Sequence, residues 1–411
     1  MPQLSFTRQA TLVMLVAVLA FGCQKKTPSP DSPTPAPPVA AHTGPPLTDA
    51  DYQEFGEKLE TAIATGDQAE ASRLFRLMDL FERCLTDLDF SAADKRGLLQ
   101  GAGASSGKMA EQIIQEVKKG GKYSLLRVRT VEGKKRVLMR LIGAEGALNY
   151  HEFTLVRYPD GRIGPEDIHI LATGELITQT FRRLLLSFAA ERNQGIVARL
   201  SGAEQMYTKH LPKLQTIAQD TQAGRHQQAL TTFRQLPAEL QKDRTFQILA
   251  IQAAQGVDEK EYLAEMERFQ QNHPSDPVTD LLAIDFFLVK KQYDESIKAI
   301  DRLDKMMGGD PYIRVLRGGA LLEAGRLEEA RKETEKGIKE DPKLEAGYQA
   351  RIKVAFREKN HPDALVWLKK AVENANLTLD LDAEKTNPEW ADFIKSPQFG
   401  QLRKWLEKRS N

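Results

Sequence analysis

The feature that most constrains the fold is a short pattern that recurs along the second half of the chain with almost constant spacing. A small or apolar residue, usually preceded by acidic or polar residues, stands at Ala229, Leu263, Ser296, Ala330 and Ala364. The intervals between these positions are 34, 33, 34 and 34 residues. A fixed period of this length indicates pairs of helices, because one pair buries its apolar face only against the next. We therefore predict a multi-domain chain whose larger part is an all-α solenoid.

Helix-start and turn signals recur with the same period. The three best-preserved units span residues 277–376, and an Asp-Pro pair begins two of them, at 276–277 and 310–311. Aspartate caps the free amides of a helix, and proline fits the first turn because no donor is missed there. Gly325 allows a tight turn in the middle unit. Residues 191–272 carry a weaker form of the pattern and are predicted to be divergent helical repeats.

The middle unit, from Gly325 through Ala330 to Pro342, resembles the tetratricopeptide repeat. The sequence departs from that family at Arg317 and Arg351, which stand where an apolar residue is usual. The resemblance implies a degenerate array of helix pairs that binds proteins or peptides and does no chemistry of its own.

In that family the first helix of each repeat lines a concave groove. With the repeats aligned on Ser296, Ala330 and Ala364, the resemblance implies the following groove-facing positions. They are Leu281, Asp285, Leu288, Val315, Leu322, Gln349, Lys353 and Phe356. We predict that they contact a protein or peptide partner; the alternative is that several of them pack against neighbouring helices. The set lacks the paired lysines and asparagines that would clamp a terminal carboxylate, so a receptor for chaperone tails is disfavoured.

The last residues, 377–411, are predicted to be capping helices. Their aromatic residues, Trp390, Phe393, Phe399 and Trp405, lie in a segment rich in lysine and arginine. A helical array needs its final apolar face covered by an element with a polar outer side. This segment meets that need, so we interpret the tryptophans as packing residues of the cap.

The N-terminal residues carry signals for export and attachment. Residues 1–22 combine a basic start with an apolar stretch too short to span a bilayer, which is typical of a signal peptide. The stretch ends at Gly22-Cys23, which resembles the lipobox of bacterial lipoproteins, although Phe21 is bulkier than usual there. The resemblance implies lipidation of Cys23, with palmitate among the acyl groups, and a cell-envelope location on the extracytoplasmic side. Gln24 after the cysteine favours the outer membrane.

Two further segments separate the attachment site from the repeats. Residues 23–47 are rich in proline, serine and threonine and are predicted to form an extended tether. Residues 48–190 show helical periodicity followed by strand alternation, which predicts a small α+β domain with an antiparallel sheet. Three helices before a curved meander resemble the nuclear-transport-factor-2-like (cystatin-like) fold. That family includes small-molecule enzymes as well as non-catalytic binding proteins.

Two side-chain sets in this α+β domain could carry chemistry. If the hairpin turn at 159–161 is a three-residue loop, His151 pairs with His169 and lies near Asp167. These three residues are the alternative small-ligand site. The second set consists of Arg127, Arg129, Arg136 and Arg140, which share one face of the first hairpin. They form an anion-binding stripe or, as we expect, the solvated side of the sheet.

Composition narrows the function further. Lysine plus arginine (58) nearly equals aspartate plus glutamate (57), so a formal net charge of +1 gives no reason to expect a nucleic-acid partner. We identify no catalytic set, no metal site and no cofactor. The sequence therefore predicts a membrane-tethered, non-catalytic scaffold for protein–protein interaction. Ligand binding or catalysis in the α+β domain is the alternative, and a purely structural spacer in the cell envelope is a third possibility.

Overall fold

The computed structural model describes residues 45–85, 90–103, 107–192, 202–274 and 277–410. The predicted signal segment and Cys23 lie outside these ranges. No helix within the described ranges has both the length and the apolar character needed to cross a bilayer.

The chain divides into two compact units, and the boundary lies between Thr279 and Asp280. The first unit contains the α+β domain together with the first helical repeats, and the second contains the repeats that follow. The helices before and after the predicted domain boundary at residue 190 pack against each other within the first unit, and the boundary itself stays a prediction.

Helices form the first half of the α+β domain. In the described ranges they are α1 (Asp49–Thr65), α2 (Gln68–Phe75), α3 (Leu77–Arg83), α4 (Ala92–Gly103) and α5 (Lys108–Lys118). Thr48 begins α1 with a capping box, since its side chain accepts the Asp51 amide and the Asp51 carboxylate accepts the Thr48 amide at 2.7 Å. Arg76, which adopts a left-handed conformation (φ 47°), separates α2 from α3.

The antiparallel sheet follows these helices. Its strands are β1 (Lys122–Val131), β2 (Lys134–Ile142), β3 (Leu148–Arg157), β4 (Ile163–Ile170) and β5 (Glu175–Leu176), arranged in that order. One face packs against the helices through a core that includes Val137, Phe153 and Ile168, each 0% exposed. Phe153 lies between Phe55 and Phe75, with ring centres 5.6 and 5.9 Å away. Aromatic packing thus fixes which face of the sheet is inside.

Two irregularities in the pairing change the register. Leu126 is an extra residue in β1 opposite β2, and Glu166 is an extra residue in β4 opposite β3. Near the turn Arg157 pairs with Ile163 as expected, but beyond Glu166 His151 pairs with Ile170 rather than with His169. A β-bulge shifts every later pair by one residue, so the predicted pairing of the two histidines is wrong.

The helices after the sheet complete the first unit. They are α6 (Ile177–Arg192), α7 (Gly202–Gln222), α8 (His226–Arg234), α9 (Ala238–Gln241), α10 (Arg244–Val257) and α11 (Glu259–Asn272). Helix α7 packs against α6 and α8, and α8 packs against α10. Ala229 is 0% exposed in their core, whereas Leu263 on α11 is only half-buried. The weaker pattern thus gives less uniform packing.

The second unit contains the best-preserved pairs. They are α12 (Pro277–Val289, which crosses the boundary) with α13 (Tyr293–Met307), α14 (Pro311–Glu323) with α15 (Leu327–Glu340), and α16 (Glu345–Arg357) with α17 (His361–Asn374). From α13 to α17 each helix packs against the next in sequence. The registration residues Ser296, Ala330 and Ala364 are each 0% exposed. The pairs are placed where the period predicts.

The C-terminal segment covers the last pair. It comprises α18 (Leu381–Glu384), a 3-10 turn (Pro388–Trp390), α19 (Ala391–Ile394) and α20 (Pro397–Ser410). Trp390, Phe393 and Leu402 are fully buried in one core with Leu368 of α17.

Candidate interaction surface and the alternative ligand site

Small residues set how closely paired helices approach in the second unit. The Ser296 hydroxyl donates to the carbonyl of Ile284 on the partner helix at 3.1 Å. A Cβ on Gly318 would stand 2.6 Å from Thr334 Cγ2, so no larger residue fits there without displacing α15. At Ser296 the spacing found in the sequence therefore coincides with a direct contact between paired helices.

Two arginines at positions that are usually apolar in tetratricopeptide repeats form ion pairs with adjacent helices. Arg351, 3% exposed, donates to Glu335 on α15 at 2.8 Å and to Asp363 on α17 at 2.6 Å. Arg317, one period earlier, donates to Asp301 on α13 at 2.9 Å. It also lies 3.2 Å from Glu333 on α15. These positions tolerate arginine because acidic residues on both flanking helices pair with it.

The groove candidates of the first two repeats lie mainly inside the packing. Leu281 and Leu288 are 3% and 4% exposed, and Asp285 is half-buried. Val315 is 0% exposed, and its Cγ2 lies 3.2 Å from the place that a Cβ on Gly337 would take. Leu322 is 4% exposed. These leucines and Val315 are buried, which favours the alternative that they pack against neighbouring helices, and their contact with a partner stays a prediction.

The candidates of the third repeat differ in their surroundings. Gln349 is 7% exposed and donates to Glu345 on its own helix at 2.7 Å. The Lys353 ammonium lies 3.2 Å from Glu389, and the Phe356 ring lies 5.3 Å from both Trp390 and Phe393. The C-terminal segment therefore covers Lys353 and Phe356. Their contact with a partner stays a prediction.

In the alternative ligand site, the His151 side chain is buried in the interior of the α+β domain. It is 2% exposed and lies on the core face of the sheet. Asn149 Nδ2 lies 3.3 Å from its Nε2, and the Tyr123 hydroxyl lies 3.1 Å from its Nδ1. The Asn149 oxygen accepts two backbone amides, so its NH₂ donates to Nε2 and the histidine proton sits on Nδ1. Burial lowers the pKa of His151 to about 3, so the ring is neutral.

The other two members of that site lie elsewhere. Strand alternation places Asp167 and His169 on the face opposite to His151. The Asp167 carboxylate accepts from the Thr178 hydroxyl and amide, and burial raises its pKa. Burial also lowers the pKa of His169, although nearby Glu152 opposes this shift. The three side chains do not converge, because the bulge at Glu166 changes the register.

The arginine stripe is not the solvated face that was expected. Arg129 and Arg136 stand opposite each other, and both donate to Glu152, at 2.6 and 2.8 Å. Arg140 is 3% exposed, and Leu138 on the same face is 0% exposed. The row of arginines therefore belongs to a buried face in which one carboxylate pairs with two of them.

A second polar cluster, centred on Glu175, was not predicted from the sequence. Glu175, 7% exposed, accepts from Arg183 of α6 and from the Thr245 hydroxyl of α10 at 3.3 Å. Arg244 lies 3.6 Å from the same carboxylate and donates to the Gly174 carbonyl at 2.9 Å. This Glu175 cluster joins the α+β domain to the first repeats. No sequence signal indicated it, because Glu175 and Thr245 are 70 residues apart and come together only in the folded chain.

In the ranges the structure describes, no group of three or more His, Cys, Asp or Glu side chains is arranged to hold a metal ion. Cys84 is buried, and its thiol donates to the Thr178 carbonyl at 3.2 Å.

Comparison with known proteins adds little. No protein-family model matches the chain, and no curated protein matches it. Among solved structures, MamA MSR-1 is 18% identical over 41% of this chain and 97% of that chain, with a TM-score of 0.34. MamA AMB-1 is 19% identical over 39% of this chain and 95% of that chain, with a TM-score of 0.31.

Proposed function

We propose that this chain is a non-catalytic scaffold for protein–protein interaction whose docking element is a solenoid of tetratricopeptide-like helix pairs. The observation that carries the proposal is the set of consecutive pairs with Ser296, Ala330 and Ala364 fully buried at their contacts. Such arrays present long helical surfaces made of many short repeats, and binding is their usual use.

The α+β domain supports the helices in this proposal rather than acting on a substrate. The Glu175 cluster holds the start of α10 against the turn before β5. His151 lies on the core face of the sheet, whereas Asp167 and His169 lie on the opposite face, so the three do not form the convergent polar set that a ligand site needs.

We further propose that the scaffold is lipid-anchored through Cys23 on the extracytoplasmic side of the cell envelope, in the outer membrane, with residues 24–47 as its tether. The lipobox resemblance and the proline-rich composition support this. A Cys23→Ser variant should lose both labelled palmitate and sedimentation with membranes. Unchanged sedimentation would contradict the anchor while leaving the scaffold proposal intact.

Site-specific photo-cross-linking in envelope preparations tests the scaffold proposal. A cross-linker is placed at exposed lysines of the repeats, Lys336 on α15 and Lys370 on α17, and at the matched controls Lys58 and Lys119 in the α+β domain. We expect a discrete cross-linked partner from the repeat positions and none from the controls. Partner adducts from Lys58 and Lys119 alone would overturn the proposal.

A further inference from the structure

The outer side of the last helix pair carries a surface unlike the rest of the described chain. Val366 on α17 is 48% exposed, and in the described ranges it is the one large apolar side chain that stands out into solvent. Cations and half-buried indole rings lie on the same helix and on α20, which packs against α17. We call this the basic–aromatic surface, defined by Val366, Trp367, Lys369, Lys370, Trp405 and Arg409.

The cations of this surface are held in place by the rings. Lys370 Nζ lies 4.2 Å from the centre of the Trp367 ring. Lys369 Nζ and the Arg409 guanidinium lie 5.5 and 5.2 Å from the centre of the Trp405 ring. Cation–π contacts of this kind order long side chains that would otherwise move freely. A partner that meets these charges would lose less conformational entropy on binding.

Charge is concentrated at this end of the chain. Residues 391–411 contain five lysines or arginines and two acidic residues, so this segment carries +3 in a chain whose formal net charge is +1. Glu373 lies 3.8 Å from Arg409, but both side chains are about half exposed, so water weakens the pair. The surface is therefore complementary to negative charge.

We infer that the basic–aromatic surface docks an acidic segment of a partner protein. The inference rests on the proposed scaffold function and names the chemistry of one partner. Tryptophan and arginine are the side chains that most often dominate protein interfaces, and Val366 supplies an apolar centre. A bilayer is the weaker fit, because the apolar side of α20, including Phe399 and Leu402, is buried against the repeats and is not free to insert.

A titration of the full chain with a dye-labelled oligoglutamate peptide tests the inference by fluorescence anisotropy. All three tryptophans lie between residues 367 and 405, so intrinsic fluorescence reports the same event independently. The test variant is Lys369→Glu with Lys370→Glu. The matched control is Lys336→Glu with Lys339→Glu, which reverses two exposed charges on α15.

We expect the test variant to bind the peptide about tenfold more weakly and the control to change affinity by less than about twofold, with both effects reduced by salt. An unbound peptide, or equal losses in both variants, would overturn the inference. The inference would also be overturned if the test variant weakened binding to phosphatidylglycerol vesicles but did not weaken binding to the peptide. If cross-linking at Lys336 still captures a partner in any of these cases, the scaffold stands and only this surface is wrong.

Discussion

The two compact units use different chemistry where a non-repeat segment meets the repeat helices. In the first unit, Glu175 of the α+β domain binds Arg183, Arg244 and Thr245 in a half-buried ionic cluster. In the second, Trp390 and Phe393 pack on Phe356 with ring centres 5.3 to 5.7 Å apart. Ionic contacts need exact partners and respond to pH and salt, whereas aromatic contacts depend on area and shape. We therefore expect the two contacts to fail under different conditions.

The largest effect is expected at the aromatic contact. Trp390 is 1% exposed, and Trp390→Ala should lower the free energy of unfolding of the second unit by about 4 kcal/mol, because it removes a large buried ring. Urea titration followed by the fluorescence of Trp367 and Trp405 measures this loss. High salt should not change it; a loss that disappears in 1 M salt would contradict an aromatic contact.

The second largest effect is expected from acid, which should destabilise the first unit more than the second. The pKa of His151 is about 3 in the folded protein and about 6.5 when the chain unfolds, so the unfolded state binds the extra proton between these values. The contribution of His151 to stability is complete above pH 6.5 and falls as the pH drops, by about 2 kcal/mol at pH 5. His169, whose pKa is also lowered, adds in the same direction, whereas Asp167 and Asp243, whose pKa values burial raises, oppose it.

Circular dichroism and tryptophan fluorescence distinguish the units in this experiment, since every tryptophan lies in the second one. The dichroism transition should move to lower urea at pH 5 more than the fluorescence transition does. His151→Asn should flatten the pH dependence. Equal shifts in both transitions would contradict the assignment to His151.

The third effect in size is expected at the Glu175 cluster. Glu175→Gln keeps the shape but removes the charge that faces Arg183 and Arg244, whose side chains are 24% and 25% exposed. Because water reaches both arginines, we expect a loss of about 2 kcal/mol in the dichroism transition, smaller in 1 M salt. Thr245→Val is the matched control, since it removes one neutral hydrogen bond and should cost about 1 kcal/mol.

The smallest effects are expected between repeats. Arg351→Met should cost about 1 kcal/mol, because Glu335 and Asp363 are 42% and 26% exposed and regain water when the arginine is lost. Arg317 is itself 27% exposed, so Arg317→Met should cost less. Fluorescence-monitored unfolding measures both; the reverse order would show that burial does not set the cost here.

Much of the fold was predictable because the repeat spacing marks places where only small side chains fit. Ser296, Ala330 and Ala364 are fully buried as their period requires. The hairpin order was also predictable from alternation. The register was not, because the single extra residue Glu166 has no signature in the sequence yet reverses which side chains face each other.

The site was less predictable than the fold. Which face of a helix stays open depends on how later segments pack on it, and the C-terminal helices cover Lys353 and Phe356. The Glu175 cluster depends on two segments 70 residues apart. Local periodicity carries neither kind of information.

Hydrogen exchange on the full chain with Trp390→Ala tests the central claim most directly, namely that each helix pair is held by its neighbours. In a stacked array the loss of one contact spreads from pair to pair. We predict faster amide exchange in the pair α16 and α17, since Trp390 packs on Phe356 of α16, a smaller increase in α15, and no change in β2 and β3. Equal acceleration in α15, α16 and α17, or acceleration confined to residues 388–410, would contradict the account.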